Sequence, residues 1–374
     1  MPEEQADRGG RTDQLIERIV VLVAALAAVA FLVLLPDPAP SAGPAPAPTL
    51  PPAVTWTGPE PVTTPARLPD GSLFQPRIFL TAQSSVGLAT GGTQDRLLLR
   101  TGAGDILVIR SAPAGQLPQF GAFAADGDTL VWAESVAGDA SVATSLWRLE
   151  WRDGGSARQI TTDVGETSFT GGQYDLVVHG GRLYWTAVAQ TRNGEPVTEV
   201  RSVPLSGGRV DVRDVPGEYG LSAWPWLVSI GGGRGTSIEL LNLVDDERIK
   251  VPTEADEITS CSPAWCRVGV LGAGVLQELD LMRPDGSQRR SIAGPDSTPV
   301  LVDVAVLDRF VPLATDRDPG SGVIDLSLYD IERGRFDLVA LDVTDIQGEG
   351  SIIWWSTGAG AEQAWHALDL GGVE

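Results

Sequence analysis

The sequence contains few of the side chains on which catalysis most often depends, with two histidines, two cysteines and one lysine in 374 residues. It has no G-x-S-x-G turn for a nucleophilic serine and no H-E-x-x-H pair for zinc. His179 and His366 are therefore interpreted as turn or surface residues, although a histidine beside a hydroxyl and a carboxylate would form a triad. These shortages exclude the hydrolases recognised by those motifs, and no cofactor or metal is expected.

The two cysteines, Cys261 and Cys266, stand in the segment CSPAWC. Two Cys alone do not complete a tetrahedral zinc site, and no thioredoxin-like sequence surrounds them. In an exported domain, two cysteines this close favour a disulfide. Pro263 turns the chain between them and brings their Cα atoms toward the bridging range of about 4.4–6.8 Å. We therefore predict a structural disulfide, with a redox pair or a metal site as alternatives.

Basic residues are scarce, since 27 Lys and Arg stand against 49 Asp and Glu, for a net charge of −22. Nucleic acid is therefore not an expected partner, because binding requires cationic side chains that displace counterions from phosphates. The acidity is interpreted as a means to solubility, with an acidic docking surface as the alternative. Lys250 is the single lysine, and the abundance of Arg, Ala, Gly and Pro is typical of high-GC coding, as in actinobacteria.

One long hydrophobic run occurs, IVVLVAALAAVAFLVLL at residues 19–35, and it carries no charged side chain. A helix of this length spans roughly 25 Å, enough for the hydrocarbon core of a bilayer. Three arginines precede the run, and the next basic residue, Arg67, lies far beyond it. The positive-inside rule therefore predicts a single-pass anchor of the cell membrane, with residues 1–18 in the cytoplasm and the rest extracellular. The small residues of PAPSAGPAPA leave secretion after signal cleavage as the alternative.

Residues 36–69 are dense in Pro, Ala and Thr, as in PDPAPSAGPAPAPTLPP. This composition favours an extended, semi-rigid polyproline conformation. We therefore predict a stalk that lifts the remaining chain away from the membrane. Within it, the segment AVTWT at residues 53–57 is sheet-like.

The remaining chain contains a repeat, recognised by an apolar strand centred on one marker residue. Successive markers are 45, 53, 41, 39, 45 and 44 residues apart. A period near 45 matches the ~40–50 residues of a four-stranded β-propeller blade. The seven copies are SSVGLAT at Gly87, TLVWAES at Trp132, RLYWTAV at Trp185, WPWLVSI at Trp226, SPAWCRV at Trp265, DRFVPLA at Phe310 and SIIWWST at Trp354.

A second, alternating strand, a turn and a short outer strand follow the markers, as in TEVRSVPL, SGG and RVDVRD. The last copy stops before its outer strand, and an open edge would favour aggregation. We therefore predict that the strand at 53–57 completes the last blade. The predicted fold is an all-β, seven-bladed β-propeller over residues 70–371, with six blades as the alternative if the copy at Gly87 is an extension.

The unit TSLWRLEWRDGGSARQITTD resembles the repeat of TolB-like, WD40-like β-propellers, and LDLMRPDGSQRRSI and VRSVPLSGGRV are weaker copies. AADGDTLVW is similar to the family's S-P-D-G turn, and HGGRLYWTAV looks like a YWTD-type strand. The resemblance covers about residues 70–370 and implies the fold, while such folds host many activities. TolB proteins carry an additional N-terminal domain and typically six blades. The anchor and stalk replace that domain here, so a TolB-type role in an outer-membrane-linked complex is not implied.

Most tryptophans fall within the repeated strands, where packing between blades accounts for them. Trp224 and Trp226 begin a short blade and are candidates for an exposed binding surface. His179, in the turn VVHGGRLYW, and the acidic residues Asp316 and Asp318 are the other candidates. The acidic clusters lack the D-x-D-x-D-G spacing of a calcium loop, so solvated turns are the alternative reading.

These features favour a non-catalytic, extracytoplasmic binding or scaffolding module whose partner is an envelope protein or glycan. One alternative is an envelope polysaccharide hydrolase or lyase, whose paired carboxylates on one propeller face a linear sequence does not reveal. The other is a ligand sensor. Since residues 1–18 leave no room for a signalling domain, a sensor would act through a membrane partner.

Overall fold

The computed structural model describes residues 54–90, 93–113, 115, 118–137, 142–230, 235–301, 303–317 and 324–373. These residues fold almost entirely as β-strands joined by tight turns, with one 3-10 helix, Gly360–Glu362. Two short strands come first, β1 (Val54–Thr55) and β2 (Val62–Pro65). The predicted all-β class is therefore confirmed.

Five antiparallel sheets then follow one another, and each has four strands in chain order. Sheet 1 contains β3 (Leu73–Thr81), β4 (Ser84–Thr90), β5 (Gln94–Arg100) and β6 (Ile106–Pro113). Sheet 2 contains β7 (Gln119–Asp126), β8 (Thr129–Ala137), β9 (Val142–Glu150) and β10 (Arg158–Thr161). Sheet 3 contains β11 (Val177–His179), β12 (Arg182–Gln190), β13 (Pro196–Pro204) and β14 (Asp211–Pro216). Sheet 4 contains β15 (Tyr219–Leu221), β16 (Trp226–Ser229), β17 (Ile238–Asn242) and β18 (Arg248–Val251). Sheet 5 contains β19 (Glu257–Cys261), β20 (Cys266–Gly272), β21 (Val275–Met282) and β22 (Arg290–Ala293).

The last six strands, together with β1 and β2, form one eight-stranded sheet, the closing sheet. Its C-terminal members are β23 (Ser297–Pro299), β24 (Phe310–Asp316), β25 (Ile324–Asp330), β26 (Arg335–Glu349), β27 (Ile352–Thr357) and β28 (Ala364–Asp369). The long strand β26 pairs with β25 through its first half and with β27 through its second half. Strand β2 pairs antiparallel with β28, where Thr63 lies opposite His366. An N-terminal strand therefore completes the sheet that holds the last strand.

Two predictions about the N-terminal segment were wrong. The strand that completes the last sheet is β2, whereas residues 54–55 run parallel to the first half of β26. Trp56 fixes this pairing, because its backbone N–H donates to the Leu338 carbonyl at 2.9 Å and its ring packs on the core of the closing sheet. Residues 62–65 belong to a sheet and not to a stalk, since three β-branched residues in succession favour a strand over a polyproline segment.

The core lies between neighbouring sheets. Between sheets 2 and 3, for example, Val131 and Leu146 pack with Leu183 and Trp185 of the next sheet, and all four are fully buried. The repeat markers lie in or immediately before the second strands of sheets 1–5, and in β24 and β27 of the closing sheet. Burying one aromatic ring removes about 150–250 Å² from water, so these residues stabilise the contacts between sheets. The prediction that the repeated tryptophans form core is confirmed for Trp132, Trp185 and Trp354, which are at most 2% exposed.

The predicted cytoplasmic tail, the membrane helix at 19–35 and the first part of the stalk lie outside the described residues. Among the residues that are described, no helix combines the length and the apolar character needed to cross a bilayer. The tail and the anchor therefore stay predictions.

Candidate functional site

A cavity of about 720 Å³ lies where the first strands of several sheets meet, and we call it the central cavity. Its walls include Arg77 from β3, Phe120 from β7 and Glu349 from the second half of β26. Sheets 1 and 2 and the closing sheet therefore converge on it. Cavities of about 300–1,000 Å³ are the usual size of sites for small ligands.

An irregular loop before β11, residues 168–175, forms the wall on the side of sheet 3. The backbone N–H groups of residues 170–172 donate to one carboxylate oxygen of Asp175, at 2.6, 2.8 and 3.1 Å. Three charge-assisted hydrogen bonds hold the loop in shape. Phe169 approaches β7 so closely that a Cβ added to Gly121 would lie 2.9 Å from the Phe169 Cβ. The glycine thus allows the loop to reach the cavity.

Between β23 and β24, residues 300–301 and 303–309 are irregular, and Leu301 lines the same cavity; we call these described residues segment 300–309. The Arg267 guanidinium of β20 donates to the backbone carbonyls of Leu301 and Asp303, at 3.1 and 3.2 Å. Burial lowers the pKa of Arg267 to about 10, so it stays protonated at neutral pH. The Asp303 carboxylate accepts the Val304 N–H at 2.8 Å. Arg267 therefore fixes the backbone of the segment and leaves the Asp303 carboxylate without an ion pair among the described residues.

Tyr174 of the 168–175 loop and Asp303 of the closing sheet line the same small cavity, and burial and the nearby charge of Asp303 raise the pKa of Tyr174. Burial raises the pKa of Asp303 to about 6, and the nearby charge of Asp308 acts in the same direction. Burial also raises the pKa of Glu349 well above its ordinary value, with a further contribution from the charge of Asp303. Neighbouring carboxyl groups with perturbed pKa values therefore lie in the wall of the central cavity and beside it, and such groups cluster at functional sites.

Arg77 is a cation that points into the central cavity and forms no ion pair or hydrogen bond with any residue that the structure describes. Arg77 is exposed, and partial desolvation lowers the pKa of its guanidinium, which nevertheless remains charged. Trp354 lines the same cavity and is 2% exposed, and its indole N–H has no hydrogen-bond partner in the described part of the chain. The Arg77 guanidinium and the Trp354 indole N–H are therefore unpaired among the described residues that line the cavity.

The candidate residues from the sequence lie elsewhere. The Trp224 ring stacks on His179 with centroids 5.5 Å apart and contacts Tyr184 at 4.0 Å, between sheets 3 and 4. Trp226 packs on the opposite side of sheet 4, against the core shared with sheet 5. None of these four side chains lines the central cavity.

Asp316 is the last residue of β24 in the closing sheet, and Asp318 lies outside the described residues. The structure therefore does not bring Asp316 together with Trp224 and His179. Arg77 was missed in the sequence, although a signal exists. In LFQPRIFLT, Phe74, Pro76 and Ile78 alternate as buried residues, and this alternation places Arg77 on the open face.

Cys261 and Cys266 form a disulfide, and their Cα atoms are 4.1 Å apart. The two residues face each other across the hairpin of β19 and β20, where the Ser262 N–H donates to the Trp265 carbonyl at 2.8 Å. The predicted disulfide is therefore confirmed, and it joins the first two strands of sheet 5.

His366 of β28 lies between two neighbouring strands. Its Nδ1 is 3.0 Å from the Thr63 hydroxyl of β2, and its Nε2 is 2.7 Å from the Thr357 hydroxyl of β27. Burial lowers the pKa of His366, so the neutral ring is favoured. Within the described ranges, no three or more His, Cys, Asp or Glu side chains are grouped so as to hold a metal ion.

No protein-family model and no curated protein matches the chain. Solved structures do match. A structure from an analysis of two prolyl endopeptidases has a TM-score of 0.51 at 12% identity, over 78% of this chain and 47% of that chain. The uncomplexed acylaminoacyl peptidase of Pyrococcus horikoshii has a TM-score of 0.50 at 10% identity, over 77% and 50% of the two chains. The β-propeller domain of the Trilobed protease from Pyrococcus furiosus has a TM-score of 0.45 at 10% identity, over 68% and 83%.

The chain spans about half the length of the prolyl endopeptidase and acylaminoacyl peptidase chains. At 10–12% identity the likeness concerns the fold alone, because one fold hosts many activities. Five successive four-stranded sheets, and a cavity on which sheets 1 and 2 and the closing sheet converge, agree with that likeness. The chain therefore has a β-propeller-like, all-β fold.

Proposed function

We propose that the chain is a non-catalytic binding or scaffolding module of the cell envelope, TolB-like in fold, with a ligand site in the central cavity. The observation that carries the proposal is Arg77, a cation without a partner among the described residues, inside a cavity of about 720 Å³. An exposed guanidinium that the described residues leave unpaired is available to bind an anionic ligand through charge-assisted hydrogen bonds. The first strands of several sheets hold the walls in place, so the site is largely preformed.

The rest of the lining favours a glycan fragment with an acidic group. Three amide side chains, those of Gln119, Gln173 and Gln347, line the cavity. Each amide both donates and accepts hydrogen bonds, as sugar hydroxyls require. Phe120 and Phe169 add apolar area to the same walls. A guanidinium binds a carboxylate through two parallel hydrogen bonds, so Arg77 would select acidic sugars over neutral ones.

The finer architecture is part of the proposal. The two halves of β26 pair with different neighbours, which supports a division of the closing sheet into two blades. Together with sheets 1–5 these make seven blades, of which the last is completed by β2. A hydrophobic run at residues 19–35, preceded by arginines, supports a single-pass anchor that holds the propeller outside the cell.

The experiment is a titration of the full chain, in detergent micelles, with acidic glycan fragments released from the cell envelope. Arg77→Gln is expected to weaken binding at least about tenfold, since a charge-assisted hydrogen bond contributes about 1.5–3 kcal/mol. Arg192→Gln is the matched control, because Arg192 is an exposed arginine of the β12–β13 hairpin, outside the cavity. The proposal is wrong if neither titration nor crosslinking in intact cells finds an envelope glycan or protein.

The pair Asp303 and Glu349 favours a second candidate, an envelope polysaccharide hydrolase or lyase. Glu349, whose pKa is raised well above its ordinary value, would be the general acid, and Asp303, with a pKa of about 6, would be ionised at neutral pH as the base. Turnover of envelope glycans by the full chain, lost in Glu349→Gln while glycan binding is retained, would establish this candidate. Binding without turnover in the parent chain would leave the non-catalytic module.

A further inference from the structure

A second cavity, of about 540 Å³, opens between sheets 3 and 4, and we call it the hairpin groove. Its wall includes Leu221 and two exposed aliphatic side chains, Val188 and Ile230, which are 61% and 63% exposed. Two charged side chains of the described residues line it, those of Asp175, which caps the 168–175 loop, and Glu218. The groove is therefore mainly apolar, and among the residues that the structure describes its lining has carboxylates but no basic side chain.

Val188 and Ile230 lie at the end of the sheets where the second and third strands join in a hairpin. At the same hairpins of sheets 2 and 5, Val136, Val142 and Val275 are 53%, 65% and 62% exposed. Four consecutive sheets thus present aliphatic side chains to solvent at one end. Exposed apolar surface of this extent is typical of contact sites for other proteins.

Acidic residues occupy an equivalent position at the start of four consecutive sheets, where each backbone carbonyl accepts an N–H from a hairpin residue. The pairs are Glu166 with Val188 at 2.8 Å, Glu218 with Ile230 at 2.8 Å, Asp256 with Leu271 at 2.9 Å and Asp296 with Asp316 at 3.1 Å. The four side chains are exposed, and none forms an ion pair with a residue that the structure describes. A row of free carboxylates therefore runs beside the aliphatic side chains.

We propose that the hairpin groove is the docking site for a segment of a partner protein in which Lys or Arg alternates with aliphatic side chains. One aliphatic side chain fills the groove beside Val188 and Ile230, and the flanking basic groups meet Glu166 and Glu218. Charge complementarity of this kind selects a partner and speeds its association. A bilayer is a poorer fit, because the groove is concave and its carboxylates repel anionic lipid. This inference goes beyond the proposed function, because Arg77 takes no part in it.

The probe is a ten-residue peptide of alternating Lys and Leu, titrated against the full chain in phosphatidylcholine nanodiscs, with empty nanodiscs as the blank. A peptide of alternating Glu and Leu tests whether positive charge is required. A peptide of alternating Lys and Ser tests whether aliphatic side chains are required. Only the Lys–Leu peptide is expected to bind above the blank. Glu218→Gln and Ile230→Ser are each expected to weaken its binding at least about fivefold.

Glu247→Gln and Val244→Ser are the matched controls, since both residues are exposed in the β17–β18 turn, at the other end of sheet 4. These variants are expected to change the affinity for the Lys–Leu peptide by less than about twofold. Arg77→Gln is expected to have the same small effect, and this result separates the inference from the proposed glycan site. Equal weakening by groove and control variants overturns the inference. So does equal binding of the Glu–Leu and Lys–Leu peptides, or no binding of the Lys–Leu peptide above empty nanodiscs.

Discussion

Asp303 shows at the scale of one residue how the fold creates unusual chemistry. Asp303 is 8% exposed. Its ionised form is stabilised by the Val304 N–H, the Tyr174 side chain and the charge of Arg267. A buried carboxylate without a close ion pair favours its protonated form. The nearby charge of Asp308 adds to this preference. The pKa of about 6 for Asp303 is therefore a consequence of its position on the irregular segment 300–309.

Asp303→Asn should remove a pH-dependent part of the free energy of unfolding. Because its pKa is raised from 3.8 to about 6, the folded state binds this proton more tightly than the unfolded state between those values. Unfolding of the parent therefore becomes harder as pH falls through that window, and Asn, which resembles the protonated acid, loses the dependence. The free energy of unfolding of the variant, relative to that of the parent, should therefore increase by on the order of 1–3 kcal/mol as the pH is raised from about 4 to about 7.5. Urea denaturation at both pH values measures this gain, and a constant difference contradicts the assignment.

His366 should give a pH dependence of the opposite sign. Its lowered pKa means that the unfolded state takes up the proton first, so the parent loses stability as pH falls below the ordinary value of 6.5. His366→Gln removes this loss, but disturbs the contacts with Thr63 and Thr357 and should cost about 1–2 kcal/mol at pH 7.5. The difference in free energy of unfolding between parent and variant should therefore become smaller as the pH is lowered, and urea denaturation measures it. A gap that widens would mean that the charged ring is the stabilised form.

At the scale of elements, three of the four strands of sheets 1–5 could be predicted from the sequence. Markers such as Trp132 and Trp185 identify second strands, and the alternating runs after them are third strands. First strands were not recognised, because β11, β15 and β23 have only three residues each, and because residues that face a cavity need no apolar pattern. The candidate site lies on those strands and on two irregular loops, so it escaped prediction almost entirely.

The spacing of the repeat contained a partial signal for these loops. The interval of 53 residues between Trp132 and Trp185 is the longest, and the 168–175 loop falls within it. The segment 300–309 left no such signal, because the short β23 compensates for its length and the interval between Trp265 and Phe310 stays at 45 residues. An insertion is visible in a repeat only when the neighbouring strands keep their usual length.

Removal of the disulfide should loosen one hairpin and leave the fold intact. The bond closes a loop with a sequence separation of five residues, and constraint of so short a loop contributes about 2 kcal/mol. Cys261→Ala with Cys266→Ala is therefore expected to lower the free energy of unfolding by about 2 kcal/mol, with a far-ultraviolet spectrum unchanged. Guanidinium denaturation of the full chain measures the loss. A loss of folded structure in the absence of denaturant would show that sheet 5 depends on the bond far more than loop closure explains.

The whole molecule depends on the joining of its two ends. Strand β2 covers the edge of β28, which would otherwise offer unpaired backbone groups to another chain. The incomplete last repeat in the sequence predicted that an N-terminal strand would complete the last sheet. It did not predict which N-terminal residues form that strand. Residues 53–57 and 62–65 both have strand-like sequences, and only the contact of Trp56 with the closing sheet assigns the first of them to β26. Long-range pairing of this kind is set by tertiary contacts that local patterns do not contain.

The membrane anchor is a prediction about the whole chain that the described residues leave untested. If residues 19–35 span the bilayer uncleaved, the full-length chain should stay in the membrane fraction after carbonate washing. Protease added outside intact cells should then remove the propeller and spare a tag placed before residue 1. Changing the three arginines that precede the run to Gln should reduce the fraction in this orientation, because they supply the positive charge on the cytoplasmic side. Recovery of a soluble extracellular chain that begins after residue 35 would instead show a cleaved signal, and the propeller would then encounter its ligands in free solution.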